Sequence, residues 1–425
     1  MKFIFITIQL LIFVTAGAQK YDAELSAIVK GTIPGIIEIR HKIHQHPELS
    51  NCEFKTSGLV ADYLQSLGIE ITTGVARTGV VGIMKGTKPG KTIALRADMD
   101  ALPVTEQTNY SFKSTDTAVY NGKNTGVMHA CGHDIHTSVM LGVAKVLTSM
   151  KDKISGTVLF IFQPAEENLP AGEEAGAKLM LKEGLFDKFH PDAIFGIHSN
   201  PALQVGQIGY SLGAANASSS TFTFTIIGKS AHAASPELSV DPVVVSAQVV
   251  LALQTIRSRN FEPFEPSVIT VAQIHGGIRD NIIPSEVVLS GTVRLLNPRL
   301  QDEVQKRFRE ILEGTTRAAG GSYRFDYRRG APVNMNDSAL QLKMLPTMER
   351  IAGKRNVQAI HPWMAADDYA YFAERCPSFF FSLGTTRPGT ISGGLHTGTF
   401  MGDDDSIEVG IKTVSALVID FLSGL

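Results

Sequence analysis

The stretch MHACGHDIHT, residues 128–137, holds the densest group of potential metal ligands in the chain. Its candidate ligands are His129, Cys131, His133, Asp134 and His136. An acidic cluster, QPAEE at 163–167, follows farther along. Thiolate, imidazole and carboxylate groups bind zinc and similar divalent cations. These residue types predict a hydrolytic metal site, completed by isolated histidines downstream.

A site with two metal ions needs a bridging ligand and further histidine and carboxylate ligands. Candidates of these types, each in a predicted loop, are Cys131, His133, Glu167, His198 and His396. Glu166 and Glu167 should differ in role, because adjacent side chains of an extended segment point to opposite sides. One then binds metal while the other acts as general base. Taken alone, a Glu-Glu pair is typical of a solvated surface.

Three apolar runs predict buried strands that position these residues. TIALRA (92–97) leads into Asp98 and Asp100, GTVLFIFQ (156–163) leads into PAEE, and AIFGI (193–197) ends at His198. Parallel strands buried on both faces have this composition, and α/β enzymes place their chemistry at the strands' carboxyl ends. The pattern predicts one parallel sheet with one active edge.

Helical periodicity predicts the neighbouring elements. Asp134 is the expected N-cap of the helix after MHACGHD, which places Cys131 and His133 in the entering loop. A helix is predicted over 22–45, with its start delayed by Pro34 and Gly35, and others over 55–67 and 405–423. The histidines near the end of the first helix are favoured by its dipole and need not bind metal; they are His41, His44 and His46.

The pattern changes near residue 211, where polar and apolar residues alternate. The predicted order is then strand, helix, strand, strand, helix, strand, over 219–227, 241–258, 267–275, 286–296, 300–318 and 322–328. This β-α-β-β-α-β order is ferredoxin-like. Since candidate ligands continue after it, we expect an inserted domain at 211–328 within a catalytic domain of 19–210 and 329–425.

Composition and the N-terminus limit the class of protein. A chain of 425 residues predicts two domains, and a net charge of −2 gives no indication of a nucleic-acid partner. Lys2, an apolar run and Ala16-Gly17-Ala18 predict a signal peptide over 1–18. The alternative is a membrane anchor, although the run is shorter than the roughly 20 residues that span a bilayer. We therefore expect cleavage and export to the periplasm or medium, with no membrane association afterwards.

The three cysteines do not form a disulfide framework. With Cys131 as a ligand, the pattern leaves open whether Cys52 and Cys376 pair or stay free.

Seven motifs resemble, in order, the amidohydrolase branch of the co-catalytic dinuclear metallopeptidases. They are RADMDALP, MHACGHD, FQPAEE, FGIH, GKSAHAASP, NIIP and LHTGTF. This group includes hippurate hydrolase, N-acyl-amino-acid amidohydrolases and auxin-conjugate hydrolases. The match spans nearly the whole mature chain.

The resemblance implies an α/β catalytic domain with two divalent ions (zinc, manganese, nickel or cobalt) and an inserted lid domain that often forms a homodimer. It implies that Cys131 bridges the metals and that four residues complete the ligand set, namely His133, Glu167, His198 and His396. Glu166 would be the general base.

The resemblance also implies residues around the metals. Asp100 would orient a ligand, His232 in the lid would stabilise the oxyanion, often in the partner subunit's active site, and Asn281 would contact substrate. His129 and His136 are left for packing or for supporting the ligands. Asp367 departs from the family pattern, where many relatives have Glu, and this shortening bears on substrate fit.

The expected function is hydrolysis of an amide bond in an N-acyl-amino acid or a short peptide-like substrate. Metal-bound hydroxide would attack, with Glu166 as base and then acid. One alternative is a secreted aminopeptidase or dipeptidase with the same metal core. Another, of a different class, is a non-catalytic metal- or ligand-binding relative.

Overall fold

A computed structural model describes residues 2–167 and 173–424, with side chains from Tyr21 onward. The predicted signal peptide, residues 1–18, lies in the part of the chain whose side chains are not described. No helix in the described ranges combines the length and the hydropathy required to cross a bilayer.

The helices are α1 (Lys2–Gln45), α2 (Phe54–Ser66), α3 (His133–Ser149), α4 (Gly176–Lys182), α5 (Leu185–Phe189), α6 (Pro242–Thr255), α7 (Leu300–Ala318), α8 (Ser338–Ala352), α9 (Ala370–Ala373) and α10 (Asp405–Ser423). The strands are β1 (Glu70–Val75), β2 (Gly79–Lys85), β3 (Lys88–Asp98), β4 (Thr117–Tyr120), β5 (Lys123–Gly126), β6 (Ser155–Gln163), β7 (Ala193–Gln204), β8 (Ile208–Tyr210), β9 (Ala214–Asn216), β10 (Ser220–Ile227), β11 (Ala231–His232), β12 (Ser267–Gly276), β13 (Ile282–Ile283), β14 (Glu286–Leu295), β15 (Ser322–Arg329), β16 (Asn334–Met335), β17 (Val357–Ala359) and β18 (Ser378–Thr386).

The chain divides into two compact units. The larger comprises Met1–Gly213, Asn336–Ile360 and Tyr371–Leu425, and the smaller comprises Ala214–Met335 and His361–Ala370. The division lies near the predicted boundaries. The smaller unit also takes in β16 and a late segment, because Asn334 pairs with Asn216 and Asn216 bridges to Trp363.

The larger unit is built on an eight-stranded sheet of order β1-β2-β6-β3-β7-β18-β8-β17. Strands β6, β3, β7 and β18 run parallel, while β2 pairs antiparallel with both β1 and β6. Buried side chains of these strands pack with those of α1, α3 and α10 in one core. The mostly parallel sheet predicted from the apolar runs is confirmed.

The smaller unit has the predicted β-α-β-β-α-β order, formed by β10, α6, β12, β14, α7 and β15. Its sheet has the order β12-β14-β10-β15, and all pairs are antiparallel. Alternate residues of β10, Phe222, Phe224 and Ile226, are buried against Val249 and Phe308 of the two helices. This is a ferredoxin-like arrangement.

Helix α1 contradicts one local prediction, because it continues through Pro34 without a delayed start. Proline removes one backbone hydrogen bond and disfavours a helix interior. Val29 and Ile36, on either side of it, are fully buried in the core. Tertiary packing of the apolar face therefore outweighs the local cost of proline.

Candidate metal centre

Cys131 belongs to two groups of potential metal ligands in the larger unit. It forms one with His133 and His198 and another with Glu167 and His396, and the ligand atoms of each group lie within 4.8 Å of one another. The Cys131 Sγ atom is 3.6 Å from His198 Nε2. The structure thus brings together the five ligands predicted from the sequence, with Cys131 common to both groups.

Different elements supply these side chains. Cys131 and His133 flank the start of α3, and Glu167 follows β6. His198 lies inside β7, so the expected loop position is wrong: β7 continues to Gln204. His396 lies between β18 and α10 with a φ of 63°, and its backbone N–H donates to the Ala130 carbonyl at 2.8 Å. That bond ties the last candidate ligand to the loop that holds the first.

Gly132 shapes the loop between Cys131 and His133. Its φ is 86°, and a Cβ atom there would lie 2.5 Å from Ser199 Oγ. Gly132, not Asp134, is the N-cap of α3, so that prediction is wrong. Only a residue without a side chain fits this close approach at a positive φ.

Asp134 instead anchors the first turn of α3 to α1. Its Oδ2 accepts hydrogen bonds from Arg40 Nε at 3.0 Å and from His44 Nδ1 at 2.9 Å. Burial alone would raise the pKa of Asp134, but the charges of Arg40 and His44 hold it well below its ordinary value. Two of the α1 histidines contact carboxylates: His41 contacts Asp404, and His44 contacts Asp134.

Asp100 holds two of the candidate ligands. His133 Nδ1 lies 2.8 Å from the Asp100 carbonyl oxygen and 3.2 Å from its Oδ1. The Glu167 backbone N–H donates to Asp100 Oδ2 at 3.0 Å, and Ser50 Oγ donates to the same oxygen at 2.7 Å. With Nδ1 as the donor, His133 presents Nε2 to the site as an acceptor.

The donor set fits a divalent cation. His133 Nε2 is buried and has no hydrogen-bond partner in the described ranges. Its nearest carboxylate oxygens, of Asp98 and Glu167, are 3.6 and 3.9 Å away. A buried polar atom without a partner is costly, and a metal ion would satisfy it. A thiol, imidazoles and a carboxylate suit zinc, manganese, nickel or cobalt.

Glu166 and Glu167 do not point to opposite sides as expected. A carboxylate oxygen of each lies within 4.8 Å of His133 and of the other. The segment is not extended, because Ala165 has a φ of 51° and donates its N–H to Glu53 Oε1 at 2.8 Å. This bend turns both carboxylates toward His133.

Residues 94–420 match the family model of Peptidase family M20/M25/M40. The chain belongs to this family. It is 37% identical over 390 residues to thermostable carboxypeptidase 2 of Saccharolobus solfataricus, covering 91% of this chain and 95% of that protein. It is 38% identical over 352 residues to N-acetyl-L-cysteine deacetylase of Bacillus subtilis, covering 82% and 80%.

Solved structures agree with the assignment to the M20 family. A crystal structure of a Bacillus subtilis dinuclear metal-binding peptidase of this family superposes with a TM-score of 0.78 at 32% identity, covering 93% of this chain and all of that one. The M20 protein described here is therefore a metal-dependent hydrolase that acts on amide bonds. The alternative of a non-catalytic binding relative is wrong.

The carboxylates around the M20 site favour the binding of a cation. Burial and the carboxylates of Glu167 and Glu166 raise the pKa of the Cys131 thiol. Burial opposes protonation of His133, yet Asp98 and Asp100 raise its pKa to about 10. A bound cation would take the place of the proton on His133 and favour the Cys131 thiolate.

A buried layer lies beneath the ligands; it includes His136, expected from the sequence to pack or to support the ligands, and Arg96, for which no role was predicted. His136 Nδ1 lies 2.6 Å from Asp98 Oδ1, and Arg96 Nη1 donates to Asp98 Oδ2 at 2.6 Å. The Ser199 backbone N–H donates to His136 Nε2 at 2.7 Å. This layer joins β3, α3 and β7 next to His198. The RADMD motif was a visible signal for Asp98 and Arg96.

Glu53 was also missed, and no sequence motif indicates it. It accepts from the Ala165 N–H and, through Oε2, from Thr78 Oγ1 at 2.6 Å. Burial, followed by the nearby charge of Asp100, raises the pKa of Glu53 to about 7. Its position under the QPAEE segment fixes the bend that carries Glu166 and Glu167.

The predicted substrate-contacting residues lie in the smaller unit. His232 is exposed in β11, which pairs with β13, and the Ala233 N–H donates to the Asn281 carbonyl at 3.1 Å. The two residues are therefore neighbours within that unit. Asp367, in the same unit, is buried and accepts from the Tyr369 N–H at 2.8 Å.

Three further residues considered in the sequence analysis lie outside the ligand groups found among the described residues, namely His129, Cys52 and Cys376. His129 is buried, and burial lowers its pKa to about 3, so its ring is neutral. Cys52 and Cys376 are both free, which settles the question of a disulfide between them in this structure.

Proposed function

We propose that the chain hydrolyses N-acyl-amino acids with the help of two divalent cations. These cations would be zinc, manganese, nickel or cobalt. Cys131 would bridge the ions, and the other ligands would be His133, Glu167, His198 and His396. The observation that carries the proposal is the sharing of Cys131 by two ligand groups. A deacetylase of N-acetyl-L-cysteine among the relatives supports this substrate class.

Two cations held by these residues would supply Lewis-acid chemistry, polarising the scissile carbonyl and lowering the pKa of water. Glu166 accepts a proton from the attacking water and then donates it to the leaving nitrogen. Its carboxylate lies in one group with His133 and Glu167, which supports this role. Asp100 orients His133 through Nδ1 and holds Glu167 through its backbone N–H.

Two residues of the smaller unit are proposed to contact substrate. His232 would stabilise the oxyanion and Asn281 would bind the substrate; their adjacency within that unit supports a joint role. In this proposal the smaller unit acts as a lid and forms a homodimer, as the resemblance of its motifs implies.

Export is part of the proposal. The positively charged start, the apolar run and the small residues at 16–18 support a cleaved signal peptide and a periplasmic or secreted enzyme. N-terminal sequencing of protein recovered outside the cytoplasm should begin at Gln19. An intact Met1 on the exported protein would contradict cleavage.

Peptide hydrolysis is the second candidate, because a carboxypeptidase is among the relatives; the aminopeptidase or dipeptidase alternative belongs with it. A panel of N-acetyl-amino acids, N-benzoyl-amino acids and dipeptides, assayed with added zinc, manganese or cobalt, separates the two. We expect faster turnover of the N-acyl-amino acids. Preference for dipeptides would favour the peptidase.

A further inference from the structure

A cleft of about 320 Å³ adjoins Glu167, and its lining residues all belong to the larger unit. Apolar side chains form a large part of its walls. The apolar side chains are those of Leu49, Ala101, Leu102, Pro103 and Val119. The volume is at the small end of the range of roughly 300–1,000 Å³ for ligand sites, which suits one short substituent.

Backbone hydrogen bonds fix these walls to the metal-ligand loop. Leu102 and Met128 exchange two hydrogen bonds of 3.0 Å, three residues before Cys131. The Ala101 N–H donates to the Glu48 carbonyl at 2.8 Å. The cleft is therefore held in place by the same loop as the ligands.

One wall is the hairpin β4–β5, which carries Val119. Its side chain is 73% exposed. The hairpin closes through Asn121 and Gly122 at φ values of 50° and 75°, and Thr125 Oγ1 donates to the Pro103 carbonyl at 3.3 Å. The exposed valine thus stands on an anchored hairpin beside other apolar groups.

The charged lining residues offer no unpaired positive charge to a substrate carboxylate. Arg77 donates to Glu173 Oε2 at 2.9 Å, and Asn51 Nδ2 donates to the same oxygen at 2.8 Å. The guanidinium is therefore compensated, and the third charged lining residue is the carboxylate of Glu167. The acyl chain of an N-acyl-amino acid carries no carboxylate. It is therefore the part of the substrate that suits these walls.

We propose that this cleft binds the acyl chain of the substrate and that it selects linear apolar acyl groups longer than acetyl. The proposal rests on the proposed amidohydrolase function. Because burial of one methylene group favours binding roughly fourfold, kcat/KM should rise about two- to fourfold per methylene from acetyl to hexanoyl.

The first test compares N-acetyl, N-butanoyl and N-hexanoyl derivatives of one amino acid with the metal-loaded enzyme. Val119→Thr keeps the shape of the side chain but makes it polar, and it should lower the hexanoyl-to-acetyl ratio of kcat/KM about threefold or more. Val244→Thr, at an exposed valine of α6, is the matched control and should leave that ratio unchanged.

A second test uses the free thiol of Cys52, which is exposed and lines the same cleft. Alkylation with N-ethylmaleimide should lower the hexanoyl-to-acetyl ratio, and the Cys52→Ser enzyme should not respond to the reagent. A flat chain-length series with active acetyl turnover, or an unchanged ratio in both tests, would overturn the acyl-chain proposal. Absence of turnover for every N-acyl substrate would instead contradict the proposed function.

Discussion

His133 Nδ1 lies within hydrogen-bond distance of both the backbone carbonyl and the side chain of Asp100, at 2.8 and 3.2 Å. One acidic residue thereby sets the tautomer and the direction of a candidate ligand. Its other carboxylate oxygen accepts from the Glu167 backbone, so two candidate ligands depend on it.

Replacement of Asp100 should therefore weaken metal binding. Asp100→Asn keeps the size of the side chain but removes its charge, and we expect affinity for zinc or manganese to fall about 10- to 100-fold. Competition with a chromophoric chelator measures this change. Asp326→Asn, at an exposed residue of β15, is the control. Unchanged affinity in Asp100→Asn would exclude the positioning role.

Glu166→Gln should separate chemistry from metal binding. Glutamine cannot accept the proton of the attacking water, so kcat should fall by about 10² to 10⁴ or more. Metal content, measured by mass spectrometry of the purified protein, should stay equal to wild type. Glu237→Gln, in the smaller unit, should retain activity. Full activity in Glu166→Gln would rule out Glu166 as the base.

Gly132→Ala should destabilise the loop between the first two ligands. The new methyl group would meet Ser199 Oγ at 2.5 Å, at a φ that alanine disfavours. We expect the free energy of unfolding to fall by about 2–4 kcal/mol. Gly122→Ala is the control, because its φ is also positive but nothing lies within 4 Å; it should cost only about 1–2 kcal/mol. Equal losses would show that the contact with Ser199 is unimportant.

The stability contribution of His44 should depend on pH. Burial opposes its protonation, but Asp134 and Glu106 raise its pKa above the ordinary value of 6.5. The folded protein then keeps a proton that the unfolded chain loses near pH 6.5. The contribution is therefore full below pH 6.5 and is lost as the pH rises through the raised pKa.

Denaturant unfolding of wild type and His44→Asn at pH 6 and pH 9 measures this. The loss of stability in His44→Asn should be larger at pH 6. His275→Asn, at an exposed histidine of β12, is the control and should show little change at either pH. A His44→Asn loss that is the same at both pH values would contradict the ion-pair account.

His232→Ala tests the smaller unit. If His232 stabilises the oxyanion, kcat should fall by about 10² or more while metal content stays the same. His275→Asn again serves as the control. A kcat equal to that of wild type would remove His232 from the reaction.

Periodic and buried elements were predictable because local pattern and tertiary packing agree there. Helix α7 begins and ends at the predicted residues, as does α10, and the parallel strands follow the apolar runs. The motif residues could likewise be named one by one, since seven motifs in order constrain them strongly.

Contacts between distant segments were not predictable. Asp134 follows the sequence rule for an N-cap, but it pairs with Arg40 of another helix. Glu53 carries no motif, and its role comes from the left-handed turn at Ala165. Such roles depend on tertiary neighbours, which neither residue type nor spacing reveals.

The bond between the His396 N–H and the Ala130 carbonyl bears on biosynthesis. During translation, Cys131 leaves the ribosome long before His396, with the whole smaller unit made in between. The second ligand group stays incomplete until the last tenth of the chain has emerged. A truncated or half-synthesised chain would therefore lack the second ligand group, and we expect hydrolytic activity only after the polypeptide is nearly finished.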